Sequence, residues 1–197
     1  DGRFVTNPMC VGIPVEGAEP IVLDFATSRI AMGKVRVAYN KGEKLGRGIL
    51  IDSTGRPTVE PGVMFNEPIG ALLPFGEHKG SGLALMCELL GGALTGNGAT
   101  KTDRRFSNGM LAIFIDPKVV DPAHFFDGEV ARYIAYFKDS KLAQGHDAVL
   151  IPGEPEAATR AERTKNGVPL TDETWNSITA TARLVGLDDA AIKAAEG

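Results

Sequence analysis

Residues Leu72-Leu73-Pro74-Phe75-Gly76-Glu77-His78-Lys79-Gly80-Ser81-Gly82 run directly into Leu83-Ala84-Leu85-Met86-Cys87-Glu88-Leu89-Leu90. Proline and glycine punctuate the first half. The second places Leu83, Met86, Leu90, Ala93 and Leu94 at helical spacing, with Gly96 as its stop. The stretch therefore reads as a flexible loop entering a helix at about Leu83. Free backbone N–H groups at such a helix start, together with the His78 imidazole and the Lys79 ammonium, would attract an anion. The other reading is a solvated turn whose glycines only permit the backbone path, and spacing alone slightly favours it.

Upstream, Met9–Pro14 and Glu19–Phe25 read as short buried strands separated by a turn. Ser28 is the expected N-cap of a helix over Arg29–Asn40 that stops at Gly42. Gly48–Asp52 reads as a strand and Asp52-Ser53-Thr54-Gly55 as its turn.

Downstream, Asn97–Asn108 is a polar loop, and Met110–Ile115 has the composition of a strong strand. Asp121-Pro122 is expected to open a helix with Val130, Ile134 and Phe137 on one face. Ala148–Ile151 reads as another strand. Pro155 fits the first turn of a charged helix that ends at Gly167, and Thr171 is expected to cap the first of two last helices, around Trp175–Leu184 and Asp188–Ala195. Strands and helices alternate without a repeat and no long linker intervenes. A single layered α/β region over residues 1–197 is the expected class.

The 197 residues are 43% hydrophobic and 23% charged, the balance of an ordinary globular chain. A formal charge of −4 and a pI near 5.4, without any Lys/Arg block, argue against a nucleic-acid partner. No apolar run is long enough to cross a bilayer, and Asp1–Pro8 has no secretory apolar region, so the expected location is the cytoplasm. Cys10 and Cys87 form no framework, and Cys87 reads as a buried inert thiol. The three histidines, His78, His124 and His146, lack metal-ligand spacing, so no metal site is expected.

No G-x-G-x-x-G, no G-x-x-x-x-G-K-[ST] and no G-x-S-x-G occurs in the chain. Rossmann, P-loop and α/β-hydrolase sites therefore have no sequence support. Asp24, at the end of an apolar strand, occupies a position where open α/β sheets collect ligands. It could orient an imidazole or a nicotinamide amide, cap the next helix, or pair with Arg29. Pro152-Gly153-Glu154-Pro155-Glu156 could meet a ribose, or be a strand-to-helix turn whose carboxylates favour the helix dipole. His124 and His146 read as solvated positions.

In combination, Thr6-Asn7-Pro8 with Gly12-Ile13-Pro14, Val22-Leu23-Asp24-Phe25-Ala26-Thr27-Ser28, Ala31-Met32-Gly33-Lys34, Asp52-Ser53-Thr54-Gly55-Arg56-Pro57-Thr58, Leu72 to Gly82, and Leu150-Ile151-Pro152-Gly153-Glu154 resemble one family. It is the malate/L-lactate dehydrogenase type of oxidoreductase, distinct from Rossmann lactate dehydrogenases, and the chain looks most like its hydroxycarboxylate dehydrogenase branch. The resemblance implies a mixed β-sheet flanked by helices, NAD or NADP as cofactor, and a 2-oxo acid/2-hydroxy acid pair as substrate. By position it implies a cofactor site of Val22, Leu23, Asp24, Phe25, Ala26, His78, Lys79, Asn108, Gly153, Glu154, Pro155 and Glu156. Asp24 is also the implied catalytic carboxylate, near the proton-donating imidazole.

One departure is large. Family members carry a helical N-terminal section with a Ser-His-Gly motif whose histidine is the general acid, and none of His78, His124 or His146 matches it. The chain is accordingly expected to be the C-terminal portion of a dehydrogenase, inactive alone. It is expected to associate as a homo-oligomer, most simply a dimer, or with the missing section. The competing expectation is a non-catalytic folded module that packs on a partner chain. A metal-dependent hydrolase using His78 and Asp24 has too few ligands.

Overall fold

The computed structural model describes residues 2–101 and 107–194. Residues 102–106 of the expected Asn97–Asn108 loop, and Ala195 of the last expected helix, lie outside the described residues. The chain divides into two compact units, Asp1–Gly153 and Glu154–Gly197.

In the first unit β1 (Met9–Ile13) pairs antiparallel with β2 (Ile21–Phe25), with Cys10 opposite Asp24 and Gly12 opposite Val22. These strands were expected to be buried. Most of their residues are exposed instead, because this two-stranded sheet has few neighbours to cover its faces.

Helix α1 (Met32–Lys41) starts three residues later than expected, at an Ala31 cap with no side-chain hydrogen bond. Ser28 is not its N-cap. The Ser28 hydroxyl donates to Ile30 O, its backbone bridges to Pro74, and the Arg29 N–H donates to Leu73 O at 2.7 Å. Those backbone groups are committed to the opening loop and cannot begin a helix. Gly42 ends α1 as expected, at φ 66° with its N–H on the last carbonyls.

A second sheet has the order β4-β3-β5, with β3 (Leu50–Ile51) central, β4 (Pro57–Thr58) and β5 (Ala71–Leu72) at its edges, and both pairings antiparallel. The Asp52 turn is as read: Asp52 Oδ1 accepts from Thr54 N, Thr54 Oγ1 and Arg56 N. Leu50, Val35 and Ala38 are buried and form the center of the unit's small core. Around it, Tyr39 and Phe65 pack at 4.8 Å and the Arg36 guanidinium lies 3.6 Å over the Phe65 ring.

Helix α2 (His78–Cys87) continues into a π-helical turn, Glu88–Ala93. Beyond it, the expected strands Met110–Ile115 and Ala148–Ile151 join no ladder among the described residues. The composition was that of strands, but a strand needs a ladder, and among the described residues neither segment forms one. After Ile115 come α3 (Pro117–Val120) and α4 (Phe125–Lys138). The expected helix at Asp121 thus starts at Phe125, where Asp121 Oδ2 accepts from Phe126 N. Val130 and Ile134 are half-buried and Phe137 is exposed.

The second unit is helical: α5 (Glu154–Asn166), α6 (Asp172–Leu184) and α7 (Asp189–Ala194). Thr171 caps α6 by accepting from Thr174 N, and Gly167 follows α5 at φ 84°, both as the sequence reads. The α/β class holds, in the form of two small antiparallel sheets with helices.

Among the described residues only Val35, Ala38, Leu50, Ala84 and Ile192 are buried hydrophobics. The chain exposes 15016 Å². Even two separate compact globules of these sizes would expose only about 10,000 Å². Much apolar surface is therefore left uncovered.

Candidate cofactor site

The end of β2 and the opening loop are tied together by backbone. Thr27 O accepts from Phe75 N at 3.1 Å, Leu73 O accepts from Arg29 N, and the Phe25 and Phe75 rings meet edge-to-face at 5.5 Å. Thr27 is almost fully buried, and its N–H and hydroxyl both donate to Thr6 O at 3.1 Å. Gly80 closes the node. A Cβ there would lie 2.2 Å from Phe75 O and 3.0 Å from Thr27 O, so only glycine lets the first turn of α2 sit on this crossing.

The structure changes the anion argument. The helix begins at His78, not at Leu83, so His78 and Lys79 occupy its first turn. The N–H groups of Lys79, Gly80 and Ser81 are already bonded to Gly76 O, Phe75 O and Glu77 O. The expected cluster of free N–H groups is closed by the loop's own fold-back. What remains is the pair of side chains: His78 and Lys79 are exposed, and among the described residues Lys79 has no carboxylate partner. Glu77 precedes them at φ 55°, ψ −117°, a conformation that ordinary side chains disfavour.

Leu23, Phe25, Ala26, Ser28, Arg29, Ile30, Ala31 and Phe75 line an open, mostly apolar groove of about 530 Å³. Leu23 and Phe25 share a strand face, so Val22 and Asp24 lie on the other. Asp24 is exposed there, opposite Cys10. Among the described residues it neither caps α1 nor pairs with Arg29. Gly153, at φ 96°, runs against the β2 backbone: a Cβ on it would be 3.5 Å from Val22 N. The Pro152-Gly153 turn thus joins the Val22–Ala26 segment. Pro155 and Glu156, with Thr159, Arg160 and Arg163, line a shallow depression of about 350 Å³ on the second unit, and half-buried Glu154 begins α5. Asn108 has its carbonyl committed, accepting from Asn97 Nδ2 at 2.7 Å.

One polar cluster escaped the sequence reading. Glu88, 8% exposed, accepts from Asn7 Nδ2 at 3.0 Å, Thr100 N at 2.6 Å and Thr100 Oγ1 at 2.7 Å. Burial alone would raise its carboxyl pKa, but the hydrogen bonds from Thr100 and Asn7 outweigh it and hold the carboxyl below its usual range. The one available signal was a lone charge inside the apolar run Leu83–Leu94. Cys87 beside it is half-buried, and burial, then the Glu88 charge, pushes its thiol pKa up. His124 and His146 are exposed, as read. Among the described residues no group of His, Cys, Asp and Glu is arranged to hold a metal, and no helix is long and apolar enough to cross a membrane.

Comparison with known proteins shows the family. The chain is 41% identical over 203 residues to hydroxycarboxylate dehydrogenase B of Escherichia coli K12, an alignment covering 98% of the chain and 55% of that protein. It is 36% identical over 171 residues to the (2R)-3-sulfolactate dehydrogenase (NADP(+)) of Chromohalobacter salexigens, covering 81% of the chain and 47% of that relative. Among solved structures, an E. coli chain of malate/lactate dehydrogenase type superposes with TM-score 0.87 at 39% identity, over 98% of this chain and 55% of that one. The sulfolactate dehydrogenase of Methanocaldococcus jannaschii does so with TM-score 0.70 at 29% identity, over 92% and 53%. The chain spans about half the length of the relatives it matches. The family model for malate/L-lactate dehydrogenase matches residues 1–179, and the chain belongs to that family.

Proposed function

We propose that this chain carries the nicotinamide-cofactor site of an NAD(P)-dependent oxidoreductase acting on a 2-oxo acid/2-hydroxy acid pair in the cytoplasm. The observation that carries the reading is the crossing of Phe25 and Phe75. It brings the Val22–Ala26 segment, the His78-Lys79 turn and, through Val22, Gly153 into one neighbourhood.

The residues present fit the cofactor. The groove has the volume of an ordinary ligand site, and its Leu23, Phe25, Ala26 and Phe75 walls offer an apolar surface to a flat ring. Lys79 offers a point charge to a phosphate and His78 a hydrogen-bond donor. Gly153, which runs against Val22, is assigned to the cofactor's ribose side, and Asn108 contributes its side chain. When bound, the reduced cofactor supplies the hydride. Asp24, on the strand face away from the groove, is the carboxylate that orients a proton-donating imidazole.

The test is titration of the chain with NADH and with NADPH, followed by calorimetry. Saturable binding that weakens in Lys79→Ala by about 1.5–3 kcal/mol, the scale of a hydrogen bond to a charged group, supports the reading. Equal affinities of the two proteins would remove Lys79 from the site, and failure to bind either cofactor would remove the function.

A second reading, a non-catalytic module that packs on a partner chain or a second subunit, is favoured by the large uncovered apolar surface.

A further inference from the structure

Thr6 and Asn7 tie the two halves of the candidate site together. The Thr6 carbonyl accepts from both the N–H and the hydroxyl of Thr27, each at 3.1 Å, and so holds the end of β2. The Asn7 side chain reaches the other half. Its Nδ2 donates to Ala84 O, within α2, at 3.1 Å, and to Glu88 Oε1, in the π-helical turn that continues α2, at 3.0 Å. A carbonyl and a carboxylate are acceptors, so both amide N–H donors are used here.

The surrounding fold holds these partners in place. Ala84, Thr27 and Glu88 are all buried. Thr100 donates to the Glu88 carboxylate through its N–H and its hydroxyl, so that carboxylate cannot turn away from Asn7 without stranding two further donors. Asn7 itself sits at φ 44°, a left-handed conformation that asparagine tolerates better than most residues. Asparagine thus combines the backbone that lets consecutive groups reach different elements with a side chain carrying two donors.

We propose that Asn7, held by Glu88, is a positioning residue that sets the spacing between the Val22–Ala26 segment and the His78-Lys79 turn, and through it the affinity for the nicotinamide cofactor. The inference rests on the cofactor reading of this site. The links from Phe75 N to Thr27 O and from Gly80 N to Phe75 O fix only the N-terminal end of α2. Asn7 grips the helix at Ala84, five residues beyond Lys79 and about 7.5 Å further along the axis. One fixed point locates a helix end, whereas two fix its direction, and with it the place of the first-turn side chains. A ligand that lies in the apolar groove and also meets the Lys79 ammonium needs that geometry held to within about 0.5 Å. A role in stability alone makes a different prediction: affinity would then follow any equal loss of stability in the same unit.

The test titrates the 197-residue chain with NADH and follows its backbone amides by hydrogen exchange. Asn7→Asp keeps the shape and the left-handed turn but sets a carboxylate against two acceptors; Asn7→Gly keeps the turn and removes the amide, and carries the test if the first variant does not fold. Both are expected to weaken NADH binding about tenfold or more and to speed exchange at the Thr27 and Phe75 amides. The Leu45 amide, bonded to Val59 O, is expected to keep its rate. Glu88→Gln placed on Asn7→Asp offers an amide donor to the new carboxylate and is expected to restore part of the affinity. Phe65→Leu, which breaks the Tyr39–Phe65 ring pair outside the groove lining, is expected to lower the melting temperature at unchanged NADH affinity. Wild-type NADH affinity in a folded Asn7 variant would overturn the proposal, as would an equal loss in Phe65→Leu or unchanged exchange at Thr27 and Phe75. Absence of NADH binding by the unaltered chain would instead remove the cofactor reading, and the affinity claim with it, while the exchange rates still report whether Asn7 holds the two elements.

Discussion

Asn7 Nδ2 donates to both Ala84 O at 3.1 Å and Glu88 Oε1 at 3.0 Å, joining residues 81 positions apart in the chain. Through Thr6, whose carbonyl holds Thr27, this link continues to the crossing of β2 with the opening loop. A buried carboxylate thus anchors the candidate site from behind without touching it.

Stability of the first unit is expected to fall in acid because of Glu88. Its folded pKa is lowered relative to the unfolded chain, where a glutamate titrates at about 4.3. The charged form is therefore the stabilising one: its contribution is complete above the unfolded pKa and is lost as pH falls through the folded value. Urea unfolding at pH 7 and below pH 4 measures the difference. In Glu88→Gln the contribution of this group to the pH dependence is expected to vanish. Glu88→Ala, which strands the Asn7 and Thr100 donors, is expected to cost on the order of 2 kcal/mol at pH 7.

Two glycines of the same helix are expected to behave oppositely. Gly80→Ala forces a Cβ against backbone oxygens of Phe75 and Thr27, which cannot rotate away, and is expected to cost about 1–3 kcal/mol while loosening His78 and Lys79. Gly82→Ala meets nothing within 4 Å and gains helix propensity, so it is expected to stabilise by up to about 1 kcal/mol. Thermal melts of the two variants side by side check both signs.

Much of this was legible in the residues themselves. The capped ends at Gly42, Thr171 and Gly167 and the Asp52 turn were readable because one local residue type determines each geometry. The helix start at His78 was not, since it depends on Gly76, Phe75 and Glu77 carbonyls folding back to take its N–H groups. Ser28 has the right chemistry for a cap but was recruited by Pro74, 46 positions away. The strand reading of Met110–Ile115 required a neighbour that local sequence cannot specify. Of the site, the Val22–Ala26, His78-Lys79 and Gly153 segments were each visible as motifs. Their meeting at Phe25 and Phe75, and the support from Glu88, arise from contacts between distant parts of the chain.

Glu77 sits at φ 55°, ψ −117° in front of the two basic residues, a backbone region open to glycine. Glu77→Gly is expected to relieve strain and raise stability by about 1 kcal/mol, partly offset by the freer unfolded chain. If the strain holds His78 and Lys79 toward a phosphate, cofactor affinity in the same variant falls while stability rises. Calorimetry and urea unfolding on one preparation separate the two effects.

The two thiols are expected to react at different rates. Cys10 is exposed on β1, whereas Cys87 is half-buried, with Sγ facing Pro8 O at 4.0 Å and a pKa raised by burial and then by Glu88. At neutral pH the thiolate is the nucleophile, so Cys87 presents less of it and less access. Iodoacetamide with mass-spectrometric site assignment is expected to label Cys10 first. Replacing Glu88 by Gln removes the nearby negative charge, and Cys87 labelling is then expected to accelerate while Cys10 stays unchanged. Equal rates for the two cysteines in the native chain would show that the segment from Pro8 to Cys87 opens freely, and with it the anchor on which the opening loop depends.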